Sequence, residues 1–132
     1  VIISAGGNSG SQSATLIIRA LALGELGMRD WYRIALREAG MGLSLGMFLG
    51  GIGYVRALMW GNGHLVATAV ALSLVAMVFL GSMVGSMLPL FFKLCRLDPG
   101  VASSPAVASL VDVVGIVVYF NISQFIVPMP GA

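Results

Sequence analysis

Asp112 stands in the run LVDVVGIVVYF, residues 110–120, where every other residue is aliphatic, glycine or aromatic. A carboxylate in such surroundings can bind a proton, hold a cation or hydrogen-bond a neighbouring helix. A second unusual stretch is AGGNSGSQSAT, residues 5–15. Here Gly6, Gly7, Asn8, Gly10 and Gln12, with several hydroxyl residues, make a polar, breakable segment inside an apolar one. Polar backbone and side chains at membrane depth belong against protein or a wet cavity. The stretch reads either as the lining of the same pathway as Asp112 or as an interhelical hydrogen-bond patch. It is not a phosphate-binding loop, because no Lys-Ser/Thr follows it and no strand precedes it. His64 has no catalytic partners in the sequence, and one cysteine, Cys95, offers neither an internal disulfide nor metal-ligand spacing. Nothing in the residue set points to an enzyme.

The elements that position these residues follow from composition. The chain has 132 residues, 58% of them hydrophobic and 9% charged, and a mean hydropathy of +1.00. Soluble domains carry about a quarter charged residues, so this chain cannot clothe a globular surface in polar groups. Lipid must solvate most of its exterior. Its net charge of +2 is small and dispersed, which leaves no nucleic-acid footprint.

A spanning helix needs about 20 residues. Residues 39–60, 65–92 and 105–127 meet that length, and residues 1–24 read as a further span whose beginning is missing. The expected fold is all-α, a polytopic membrane bundle forming a single domain over 1–132. Residues 25–38 mix Trp31, Ile34 and Leu36 with Arg29, Arg33 and Arg37, the pattern of an amphipathic segment lying at the interface. GNGH at 61–64 is a turn, and Pro105 suits the first turn of the last helix. Gly42, Gly46 and Gly50, and Gly81 with Gly85, have the spacing that lets helices approach closely. The eight methionines read as filler for irregular gaps in the bundle.

Basic residues set the expected orientation. Loops 25–38 and 93–104 hold Arg29, Arg33, Arg37, Lys93 and Arg96, whereas the opposite side has Arg56 near a helix end. By the positive-inside rule both loops face the cytoplasm and the C-terminus lies outside. The first helix then runs inward, so a cytoplasmic N-terminus requires an odd number of further spans upstream.

Asp112 is the eighth residue of the last span, about 10 Å along a helix rising 1.5 Å per residue. A carboxylate at that depth costs at least ~2–3 kcal/mol and should face protein or water. Ser104, Ala108, Ser109 and Gly115 share its side of the helix and are small or polar. Glu25, Asp30, Glu38 and Asp98 lie in or beside loops and read as solvated or capping groups near arginines. One carboxylate serves a divalent cation poorly, but two copies about a two-fold axis would supply two. Carboxylates with carbonyl oxygens suit a hard cation such as Mg²⁺ that keeps its water, and do not exclude a proton.

With these features assembled, the chain resembles the membrane domain of the MgtE magnesium transporter family. The matching segments are GGNSGSQSATLIIRALALGEL, DWYRIALREAGMGLSLG, GSMLPLFFKL and DPGVASSPAVASLVDVVGIVVYF. The resemblance implies a five-helix membrane part, here without its first helix, that forms a homodimer in the bilayer with a pore on the dimer axis. It implies that Asp112 is the pore aspartate and that the backbone carbonyls of Ala108 and Ser104 join the site. Relatives often carry Asn where this chain has Ser104, a change that leaves the main-chain oxygen in place. It implies a largely hydrated Mg²⁺ as the bound and transported ion, moving into the cytoplasm, with residues 6–12 and the small face of the last helix, Ser109 and Gly115 included, lining the path. The expected location is the bacterial inner membrane. Bacterial members also carry cytoplasmic magnesium-sensing domains ahead of the membrane part. None lies in these residues, so either they were cut away or this is a member without them, and eukaryotic relatives join two such membrane units in one chain.

Overall fold

The computed structural model describes residues 2–101 and 104–127. It contains helices α1 (Ile2–Ala22), α2 (Trp31–Met59), α3 (His64–Leu94) and α4 (Ser104–Ile126), with short 3-10 turns at Met28–Asp30 and Pro99–Val101. No strand occurs among the described residues. The observed helix ends fall within two residues of the expected ones for α1, α3 and α4. They differ at α2. Helix formation runs unbroken from Trp31, so residues 31–38 are the first turns of α2 and not a separate helix. Nothing in WYRIALREAG breaks a helix before the apolar part begins, and Gly40 has open space around it.

Helices α2, α3 and α4 are long and apolar enough to cross a membrane. Helix α1 falls short of that apolarity because glycine, serine, asparagine and glutamine fill its first half. Its place is set by packing. Helix α3 is the axis of the bundle and touches α1, α2 and α4, while α1 also packs on α4. Helices α1 and α2 each lie along α3, and Ile17 and Leu21 of α1 share a buried cluster with Ile34 of α2 and Leu90 of α3.

Glycine governs both crossings on α3. A Cβ at Gly42, Gly46 or Gly50 would fall 3.0–3.2 Å from Ser82, Phe79, Val75 or Ala71, so α2 rests almost backbone to backbone on α3. A Cβ at Gly81 would strike the carbonyl of Gly6, and one at Gly85 the carbonyl of Gly10. The expected close approach at Gly42, Gly46, Gly50, Gly81 and Gly85 is therefore realised, with α1 supplying the partners for the last two. The core where α1, α3 and α4 meet holds Ala14, Met77, Val107 and Val111, all fully or almost fully buried. Met77 fills the space left by Gly6 and Gly115, as a flexible side chain can. Helix ends use glycine differently: Gly24 (φ 71°) and Gly61 (φ 78°) take the left-handed conformation that closes α1 and α2. Pro89 lies inside α3 and removes the amide that would bond the carbonyl of Gly85, one turn earlier.

Candidate functional site

Asp112 is the ninth residue of α4, half-buried, on the side turned toward α1. Its neighbour there is Gly7. A Cβ built on Gly7 would lie 2.7 Å from Asp112 Oδ1 and 3.6 Å from the Ala108 carbonyl oxygen. The glycine thus leaves room for the carboxylate, and the same small space receives the carbonyl one turn before it. Asp112 Oδ1 is buried and has no hydrogen-bond partner among the described residues. An orphaned carboxylate oxygen inside a helical bundle carries a large desolvation cost, which a cation, a proton or water would relieve. Among the described residues no group of three or more His, Cys, Asp or Glu side chains is gathered. Asp112 therefore brings one formal charge, flanked by neutral main-chain oxygen.

The other predicted residues fall in two places. Gly6, Gly10 and Gly115 are buried in helix contacts: Gly6 and Gly115 against Met77, and Gly10 against the Gly81 carbonyl, Val107 and Val111. Ser109 is exposed on α4 and donates a hydrogen bond to the Pro105 carbonyl at 3.0 Å. Ser104 begins α4, so its carbonyl stands two turns before Asp112. Asn8 and Gln12 are exposed and, with Ser4, Ser9, Leu45 and Leu49, border a cavity of about 350 Å³ on the side of α1 that looks toward α2. The polar stretch of α1 is thus divided. Gly7 meets Asp112, whereas Asn8 and Gln12 look toward α2.

Sequence reasoning misplaced Glu38. Expected as a solvated group beside Arg33 and Arg37, it is buried and accepts a hydrogen bond from Ser13 Oγ at 2.7 Å. Ser9 and Ser82 hydroxyls share a second buried hydrogen bond of 2.6 Å between α1 and α3. The signal for both lay in α1, where Ser9 and Ser13 are one turn apart and share a face.

A bundle with three helices long and apolar enough to cross a membrane, and a carboxylate seated against a glycine, is the architecture of an integral membrane protein. The sequence model of MgtE, described as a divalent cation transporter, matches residues 1–122. The chain belongs to that family, a family of transporters and not of enzymes. It is 43% identical over 126 residues to the magnesium transporter MgtE of Thermus thermophilus, covering 96% of this chain and 28% of that protein. It is 28% identical over 117 residues to the magnesium transporter MgtE of Bacillus subtilis, 89% of this chain and 26% of that one. The MgtE of Enterococcus faecalis is 26% identical over 124 residues, 94% of this chain and 27% of that one. The chain thus spans about a quarter of the length of the relatives it matches.

Proposed function

We propose that this chain, paired with a second copy, forms the membrane pathway of a magnesium transporter in which the Asp112 carboxylates hold a hydrated Mg²⁺. The observation that carries this reading is Asp112 Oδ1, buried without a hydrogen-bond partner among the described residues, in a helix able to span the bilayer. A structural aspartate would be expected to bond a neighbouring helix, and this oxygen does not.

In this reading Asp112 contributes charge, not a coordination cage. Mg²⁺ dehydrates reluctantly, so carboxylates acting through its water suit it better than direct ligation. The carbonyls of Ala108 and Ser104 are committed to helix bonds, so they accept only further bonds from that water. Gly7 keeps the space beside the carboxylate open. Ser109, exposed on the same helix, faces the path, Gly6, Gly10 and Gly115 hold the walls, and Asn8 and Gln12 stand apart on the side toward α2. With loops 25–38 and 93–104 in the cytoplasm of a bacterial inner membrane, an inside-negative potential drives uptake. It supplies ~2.3 kcal/mol per charge per 100 mV, and about twice that for a divalent ion.

Growth of a magnesium-requiring strain tests the reading. The intact protein should rescue growth at low Mg²⁺, and Asp112→Ala should not. Equal rescue by both would remove Asp112 from the mechanism. A broader divalent carrier is the second reading, favoured by the family's description as divalent cation transporters. Uptake competition separates the two: Co²⁺ or Mn²⁺ entering as readily as Mg²⁺ would establish the broader selectivity.

A further inference from the structure

Glu38 belongs to a constellation that the Asp112 pathway does not use. It is 8% exposed and is the eighth residue of α2. Where α1, α2 and α3 come together, a cavity of about 550 Å³ opens beside the Ser13–Glu38 hydrogen bond that joins α1 to α2. Glu38 lines it together with Ser9, Gln12, Ser13, Ser44 and Ser82. The Asp112 site lies on another side of α1, since Gly7 faces Asp112 while Ser9 and Ser13 turn to Ser82 and Glu38.

We infer that this cavity is a second cation site, built for a singly charged ion, with Glu38 as its one anionic group. The charge balance points there. A buried carboxylate needs compensation, and the Ser13 hydroxyl that bonds it is neutral, so the hydrogen bond spreads the charge without cancelling it. A single positive charge makes the cavity neutral, whereas a dipositive ion would leave an excess charge within the bundle. The donor set agrees. Serine hydroxyls keep oxygen lone pairs after donating: Ser44 gives its proton to the Gly40 carbonyl at 2.7 Å, and one of the Ser9–Ser82 pair gives to the other. Carboxylate, hydroxyl and amide oxygens are hard ligands, unsuited to zinc or copper. At about 30 Å³ per water, the volume accommodates an ion with its first waters. Sodium and potassium carry the required charge.

Binding of radioactive sodium to the purified full-length protein tests this directly. Saturable binding is expected in the wild type and in Asp112→Asn alike. In Glu38→Gln it should weaken about tenfold or more, the weight of a charged partner lost from a buried site. Displacement by potassium identifies whether both singly charged ions share the site, and either result supports it. Gln12→Ala and Ser44→Ala, both on the open wall, should weaken binding less, and they keep the test decisive if Glu38→Gln folds poorly. Absence of sodium and rubidium binding in the wild type overturns the inference. So does binding undiminished by all of the cavity substitutions, or lost in Asp112→Asn, which would assign the ion to the other carboxylate. Sodium binding is read without magnesium transport, so failure here leaves the Asp112 reading standing, and failure of that reading leaves this one.

Discussion

Replacing Gly7 by alanine separates the position of the Asp112 carboxylate from the stability of the bundle. The added Cβ would lie 2.7 Å from Asp112 Oδ1, against an ordinary contact of 3.4 Å or more, so the oxygen must retreat by about 0.7 Å. The next atoms, Cγ at 3.5 Å and the Ala108 carbonyl oxygen at 3.6 Å, are already at ordinary distance. The clash is therefore with the tip of a side chain that can rotate. Driving it off its rotamer costs about 0.5–1.5 kcal/mol. Exchanging glycine for alanine inside a helix returns roughly 1 kcal/mol. The two nearly offset, so thermal unfolding of the variant should match the wild type while the carboxylate is displaced. If the pathway depends on where that carboxylate sits, Mg²⁺ influx into proteoliposomes should fall about two- to tenfold, the rate equivalent of the rotamer cost. Unchanged influx with unchanged melting would refute the dependence of transport on the Gly7–Asp112 contact. A marked drop in melting temperature would instead make that contact a structural one. Gly10→Ala is the control. Its Cβ would meet the Gly81 carbonyl at 2.9 Å with Val107 and Val111 at 3.2–3.3 Å, a wall that cannot rotate away, and melting should fall.

Other outcomes follow from the same geometry. Gly85→Val should destabilise the bundle by about 1–3 kcal/mol or more in denaturant unfolding, because its Cβ meets the Gly10 backbone. Gly51→Val, with no atom near its Cβ, should leave stability within about 1 kcal/mol of the wild type. Cys95 is exposed just after α3, on the side assigned to the cytoplasm. On an otherwise cysteine-free background a membrane-impermeant maleimide should label it in inside-out vesicles and not in right-side-out ones, with His64→Cys giving the reverse. Removing the Ser13 hydroxyl by Ser13→Ala should cost about 1–3 kcal/mol, since it withdraws the partner of a buried carboxylate, and should cost less in a Glu38→Gln background.

Much of this arrangement could be read from residue types. The apolar lengths located α3 and α4 to within two residues, because lipid thickness and helix rise leave little freedom. Gly42, Gly46 and Gly50 announced a close contact by spacing alone. Asp112 announced itself by the cost of its surroundings. Periodicity, however, says which residues share a face and not which neighbour that face meets. Gly6 and Gly10 could line a path or receive Gly81 and Gly85, and only the partner helix decides. Glu38 looked wet because it lies two turns into a helix that begins among arginines. It is buried because Ser13, on a helix 25 positions earlier, comes back to it. The boundary at 38 failed for a related reason: a change from basic to apolar composition alters the solvent along a helix without ending it.

The contacts between helices also fix an order of assembly. Among these four, α1 and α2 leave the ribosome first, yet the broad contact of each is with α3. A hairpin of α1 and α2 has a small patch to bury, Ile17 and Leu21 with Ile34, and Leu90 of α3 is needed to complete it. The first pair able to close is α2 with α3, through the Gly42, Gly46 and Gly50 seam. Helix α1, the least apolar of the four, has to wait beside that hairpin until Gly81 and Gly85 arrive to receive Gly6 and Gly10. Only once α1 is seated does α4 find both of its neighbours, so the Asp112 pocket is the last part of the bundle to form during biogenesis.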